Sequence, residues 1–155
     1  SDRTAPFYPT LGTLWRKATR EYPLINRYEH DRAVIIRYIN LVKKHAGKLN
    51  SKIEKIVSKH SAIAIWGAGT LTAQLFAQTL LKDSNIKVIY DSDPKKDGQL
   101  MNGIPVKKPE LSSTLLVDDG IDAVVIGSWS SQDDIYRHLV EYCDPDKIFK
   151  LFINA

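Results

Sequence analysis

The spacing of apolar residues changes character near Ser61. Before it, Val34, Ile35, Tyr38, Ile39, Leu41 and Val42 fall at helical intervals and predict a helix from about His30 to His45. Gly47 marks its expected end or a break. A second amphipathic piece follows, with Leu49, Ile53, Ile56 and Val57 on one side and Lys48, Lys52, Lys55 and Lys59 between them. Ser51 and Glu54 stand at capping-box spacing for its start. Upstream, Pro6, Pro9 and Gly12 predict irregular chain, and Leu14–Arg20 a short helix that stops before Pro23.

After Ser61 the period changes, and Ala62–Trp66 is a short unbroken apolar run. Such runs are the pattern of strands covered on both faces in a parallel sheet. Strands are expected at Ala62–Trp66, Ile86–Tyr90, Asp122–Gly127 and Lys147–Phe152. A helix face of Leu71, Leu75, Phe76, Thr79 and Leu80 separates the first two, which makes a βαβ unit. Gly103-Ile104-Pro105-Val106 reads as an edge strand, because proline cannot donate within a central ladder. Lys108–Leu111 reads as the start of a helical turn. Ser131–Tyr142 reads as a helix, with Ser131 and Asp134 at capping-box spacing. The expected fold class is α/β, a Rossmann-like doubly wound parallel sheet preceded by an N-terminal helical segment. The expected division is 1–60, basic and helical, and 61–155, Rossmann-like.

Charge sharpens that division. Residues 1–60 hold 13 Lys+Arg and 5 Asp+Glu, a net +8; residues 61–155 hold 9 and 13, a net −4. The basic helices could suit nucleic acid or a membrane surface. The plainer reading is a solvated lysine face, since aromatics do not interleave with the cations as a single-strand binder requires. Nucleic acid is therefore not an expected partner. No apolar run reaches the roughly 18 to 20 residues that span a bilayer, so no membrane span is expected. One cysteine, Cys143, allows no internal disulfide and fits a reducing cytoplasm, and no Cys/His spacing suggests a metal. The chain begins with Ser1, which suggests a piece of a longer polypeptide.

Candidate chemistry gathers at the first strand–helix junction. Gly67-Ala68-Gly69 follows the strand and opens the helix at Thr70 and Leu71, as in a dinucleotide fingerprint, with Thr72 at the third glycine's place. Gly67 permits a tight turn, and Gly69 lets the backbone approach a phosphate at the helix N-terminus. Ala73 is expected to take over the close helix–strand contact of the missing glycine. Asp91, with Ser92 beside it, ends the next strand, where an acid accepts from ribose hydroxyls. Asp91 favours NAD over NADP, and nearby Lys95 and Lys96 temper that. Where strand order reverses, the turn after the 122–127 strand should adjoin this junction and offer Ser128 and Trp129. The plain alternatives are a tight turn, helix capping and aromatic packing.

A catalytic set is missing from the sequence. No tyrosine has a lysine four residues on, and there is no phosphate-loop motif, zinc helix motif or nucleophile elbow. The catalytic residues are unknown, and His30, His45, His60 and His138 are scattered.

Ile65–Gly69, Tyr90–Gly98 and Asn102–Val106 are similar to the Rossmann-like modules of bacterial sugar-nucleotide metabolism. These include the N-terminal domains of sialic-acid and bacillosamine-type acyltransferases and the nucleotide-sugar dehydratase/epimerase group. Asp122–Gly127, Ser128–Ser130 and Asp134–Tyr136 also resemble modules appended to sugar methyltransferases and glycosyltransferases. The resemblance covers roughly 90 residues and implies a nucleotide or nucleotide-sugar near Gly67, Gly69 and Asp91, so the expected cofactor is NAD or a nucleotide-sugar. It carries no catalytic residue across. Three readings follow: a nucleotide-holding module serving further domains of the same polypeptide, an NAD-dependent epimerase or oxidoreductase, or an oligomerising scaffold, with a homodimer as one form.

Overall fold

The computed structural model of the chain describes residues 28–112 and 114–152. These fall into two units, 28–48 and 49–152. The expected irregular stretch at 1–12 and helix at Leu14–Arg20 lie outside the described residues.

A single helix, α1 (Tyr28–Val57), replaces the two expected pieces and runs straight through Gly47. A glycine inside a helix costs roughly 1 kcal/mol relative to alanine. Burying an isoleucine side chain gains about 1.5–3 kcal/mol, and Ile53 and Ile56 are both buried. Ser51 and Glu54 therefore sit mid-helix and cap nothing. In the first unit the apolar residues of α1, among them Val34, Ile35, Tyr38, Ile39 and Val42, are exposed.

The second unit holds the rest of α1 and a six-stranded sheet. Its elements are β1 (Ile63–Trp66), α2 (Thr70–Gln78), β2 (Ile86–Tyr90), β3 (Leu100–Met101), β4 (Ile104–Lys107), α3 (Leu115–Asp118), β5 (Ala123–Ile126), α4 (Gln132–Leu139) and β6 (Ile148–Lys150). Strand order is β3-β4-β2-β1-β5-β6, and every pairing is parallel except β3 with β4. The chain steps outward from β1 through β2 to β4, then returns to β5 on the other side. That reversal makes the sheet doubly wound, and its switch point lies between β1 and β5.

All four residues of β1 and of β5 are buried. Ala64, Trp66, Val88, Tyr90, Val124 and Ile126 share a cluster with Leu115, Leu116, Leu139 and Ile148. The alternate residues Ile63, Ile65, Ile89 and Val125 point to the other face and are equally buried. At the opposite end of these strands, Asp122 accepts from the N–H of Ser61 (2.8 Å) and of Ala62 (3.1 Å), tying the start of β1 to the start of β5.

Three local expectations change. β4 is not an edge strand, because β3 lies outside it. Pro105 is tolerated because pairing with β2 begins one residue later, at Val106. The helix expected from Lys108 begins at Leu115. α4 ends at Leu139, short of Tyr142, and the Ser131 side chain makes no capping bond; Asp134 pairs instead with Arg137.

Candidate functional site

The turn after β1 is held by backbone geometry that only glycine accepts at its first position. Gly67 has φ +111°, and a Cβ there would come 3.4 Å from the carbonyl oxygen of Gly127. Its N–H donates to the Tyr90 carbonyl at 2.7 Å. Gly69 differs. It is the N-cap of α2 with φ −117°, no side chain caps the helix start, and a Cβ there would meet nothing within 4 Å. The fold itself leaves open space beside Gly69, just ahead of Thr70 and Leu71, where α2 begins. Free N–H groups and partial positive charge gather at such an end.

Asp91 fastens this turn to the end of β2. Its Oδ2 accepts from Ala68 N–H at 2.7 Å and from Lys96 Nζ at 2.8 Å, and its Oδ1 from Asp93 N–H at 2.9 Å. Lys96 Nζ also donates to the Ala68 carbonyl at 3.0 Å. Lys96 is turned back onto the junction by the 3-10 turn Pro94–Lys96, which Asp93 caps through Lys95 N–H at 3.0 Å. Burial works to raise the Asp91 pKa, but the Lys96 ammonium and the N–H groups of Asp93 and Ala68 outweigh it, so the carboxyl is held below its usual range. Ser92 is exposed on the same turn.

The neighbouring turn, after β5, touches the first one through Thr72. That side chain is fully buried; its Oγ1 donates to the Gly67 carbonyl at 2.5 Å and lies 3.5 Å from the Gly127 carbonyl. A Cβ added to Gly127 would overlap Thr72 Oγ1 and come 3.1 Å from Ile65 Cγ2. Thr72 itself thus fills the place of the third glycine; Ala73, the residue expected to do so, is exposed. The close approach is made possible instead by the missing side chain at Gly127. Ser128 Oγ accepts from Ser131 N–H at 3.4 Å, within its own loop. Trp129 packs edge-on against Phe152, with ring centroids 5.2 Å apart. Gln132 makes two backbone bonds to Phe152, at 2.9 and 3.2 Å, that hold this loop to the chain beyond β6.

The structure therefore brings together Gly67, Ala68, Gly69, Thr70, Leu71, Asp91 and Ser92. It sets Ser128 and Trp129 on the adjoining turn, with Trp129 engaged in packing. Sequence reasoning gave Lys96 only a passing role and none to Gly127. A lysine five residues after the acid, across Asp-Pro, was the available signal for the first.

Other titratable groups form structural contacts. The buried Tyr90 hydroxyl donates to Asp119 Oδ2 at 2.5 Å, and Lys107 Nζ donates to Oδ1 at 2.7 Å. Burial and the Asp119 carboxylate push the Tyr90 pKa well up. Among the described residues no group of three or more His, Cys, Asp or Glu side chains could hold a metal. Nor is any described helix long and apolar enough to cross a membrane.

Strand order, crossovers and a glycine turn at the switch point define a Rossmann-like domain. More particularly, the chain belongs to the family of C-methyltransferase C-terminal domains, whose model matches residues 28–153. No curated protein matches it. Among solved structures it is similar to UDP-D-quinovosamine 4-dehydrogenase from Vibrio fischeri, at 21% identity over 58% of this chain and 76% of that one, TM-score 0.45. It is also similar to RSP, a Rex-family repressor, at 21% identity over 76% of this chain and 59% of that one, TM-score 0.45. RSP in complex with β-NAD+ and operator DNA matches at 20% identity, 57% of this chain and 48% of that one, TM-score 0.42. The assignment of fold rests on the strand order described above.

Proposed function

We propose that this domain binds a nucleotide or nucleotide-sugar at the Gly67–Gly69 turn. In doing so it presents the sugar to a methyl-transferring domain of the same polypeptide. The observation that carries the reading is Gly69. Its φ is negative and its surroundings are open, so the fold does not need a glycine there. A ligand phosphate resting on the start of α2 does need one. Membership in a family of C-methyltransferase C-terminal domains supports the partnership with a methyl-transferring domain. Asp91 and Lys96 lie beside the same turn and supply charge at its rim.

The test is calorimetric titration of the chain with UDP-, GDP- and dTDP-glucose, NAD, NADP and S-adenosylmethionine. Saturable binding of a nucleotide-sugar, weakened at least tenfold by Asp91→Ala in a folded protein, supports the reading. Silence of a folded chain across the whole panel contradicts it and leaves a scaffold.

A further inference from the structure

Resting on that nucleotide reading, we infer that Lys96 makes this a site that reads the phosphate of its ligand, with Asp91 serving to hold Lys96 and the turn rather than to clasp a ribose. A carboxylate that clasps both hydroxyls of a ribose diol needs free acceptor positions on its oxygens. Asp91 has neither fully open. Oδ2 already receives Ala68 N–H at 2.7 Å and Lys96 Nζ at 2.8 Å, and Oδ1 receives Asp93 N–H at 2.9 Å. The Asp91 side chain is only 12% exposed, while that of Lys96 is 35% exposed. A diol reaching Oδ2 would have to displace either the ammonium or the N–H that fixes the turn.

Lys96 is the half of the pair that faces outward. Its ammonium has three protons; one goes to Asp91 and one to the Ala68 carbonyl. The third remains for a ligand, on a nitrogen pinned one residue before Gly69. An ammonium held there offers a phosphate a charge-assisted hydrogen bond without first having to be ordered. Asp91 is the counter-charge that holds it. The preferred ligand class is accordingly a nucleoside diphosphate or its ester, recognised without regard to the 2′-hydroxyl.

The probes are ADP, GDP and UDP with their 2′-deoxy counterparts, titrated into wild-type chain, Lys96→Gln and Lys96→Arg, with thermal melts to establish folding. The expected result is that whichever base binds does so within about twofold with or without the 2′-hydroxyl. Lys96→Gln should weaken both forms about tenfold or more, the scale of a hydrogen bond to a charged group. Lys96→Arg, which keeps a cation, should retain most of the affinity. A strong preference for the 2′-hydroxyl, or undiminished binding by folded Lys96→Gln, overturns this inference and leaves the nucleotide reading intact. Silence with all six probes in the folded wild-type chain also overturns this inference, and the nucleotide reading then stands or falls with the nucleotide-sugar and NAD titrations.

Discussion

Thr72 occupies the space that a side chain at residue 127 would need. Its hydroxyl donates to the Gly67 carbonyl at 2.5 Å and sits 3.5 Å from that of Gly127, on the two turns that meet at the switch point. Gly127→Ala should therefore overpack the junction and destabilise the domain by about 1–3 kcal/mol, read as a lower midpoint in urea. Thr72→Ala placed on top should recover part of the loss. Additive losses in the double variant would mean the two residues are not opposed.

Removing the Thr72 hydroxyl while keeping the side chain's size tests the same joint differently. Thr72→Val leaves the part-buried Gly67 carbonyl without that donor, at a cost of about 0.5–1.5 kcal/mol. Equal stability of the variant and the wild type in urea would show that the bond contributes nothing.

The helix α1 should respond to substitution according to position rather than residue type. Ile53 is fully buried and Ile35 is 57% exposed. Ile53→Ala should cost about 2–5 kcal/mol, and Ile35→Ala should stay within about 0.5 kcal/mol of wild type. Equal losses in the two variants would show that Ile35 is covered as well.

This contrast also marks what the sequence made legible. Helical spacing found α1, but Gly47 looked like its end, because a local cost near 1 kcal/mol is visible in sequence and the burial of Ile53 and Ile56 is not. The runs at β1 and β5 were legible because both faces are covered, and β2 because Lys87 alone interrupts its buried positions. Pro105 misplaced β4 because proline forbids only the ladder bond at its own nitrogen, and the pairing with β2 starts at Val106. At the site, Gly67 and Asp91 stood out through motif spacing. Gly127 depends on how the β5 turn folds back, which no spacing rule encodes, and Lys96 was signalled only by its place five residues after the acid, across Asp-Pro.

Acid should weaken the domain through three carboxylates. Asp91, Asp119 and Asp122 are each held below the usual range, burial opposing and hydrogen bonds prevailing: from Lys96, Asp93 and Ala68; from Lys107 and Tyr90; and from Ser61 and Ala62. A depressed folded-state pKa contributes stability that is present above the unfolded value, about 4 for aspartate, and lost as pH falls through the folded value. Urea midpoints should thus be level near neutrality and fall below about pH 4–5, with Asp122→Asn flattening the fall. An unchanged acid limb in Asp122→Asn would show that this carboxylate is not among the groups responsible.

The central claim is that the open space beside Gly69 belongs to a ligand, and the measurement that tests it most directly is nucleotide-sugar titration of Gly69→Val beside wild type. A valine side chain at a negative φ, with nothing within 4 Å of its Cβ, should leave the melting temperature within a few degrees. The account predicts that binding seen with the wild-type chain disappears in this folded variant. Equal affinity in the two proteins would place the ligand elsewhere and contradict it.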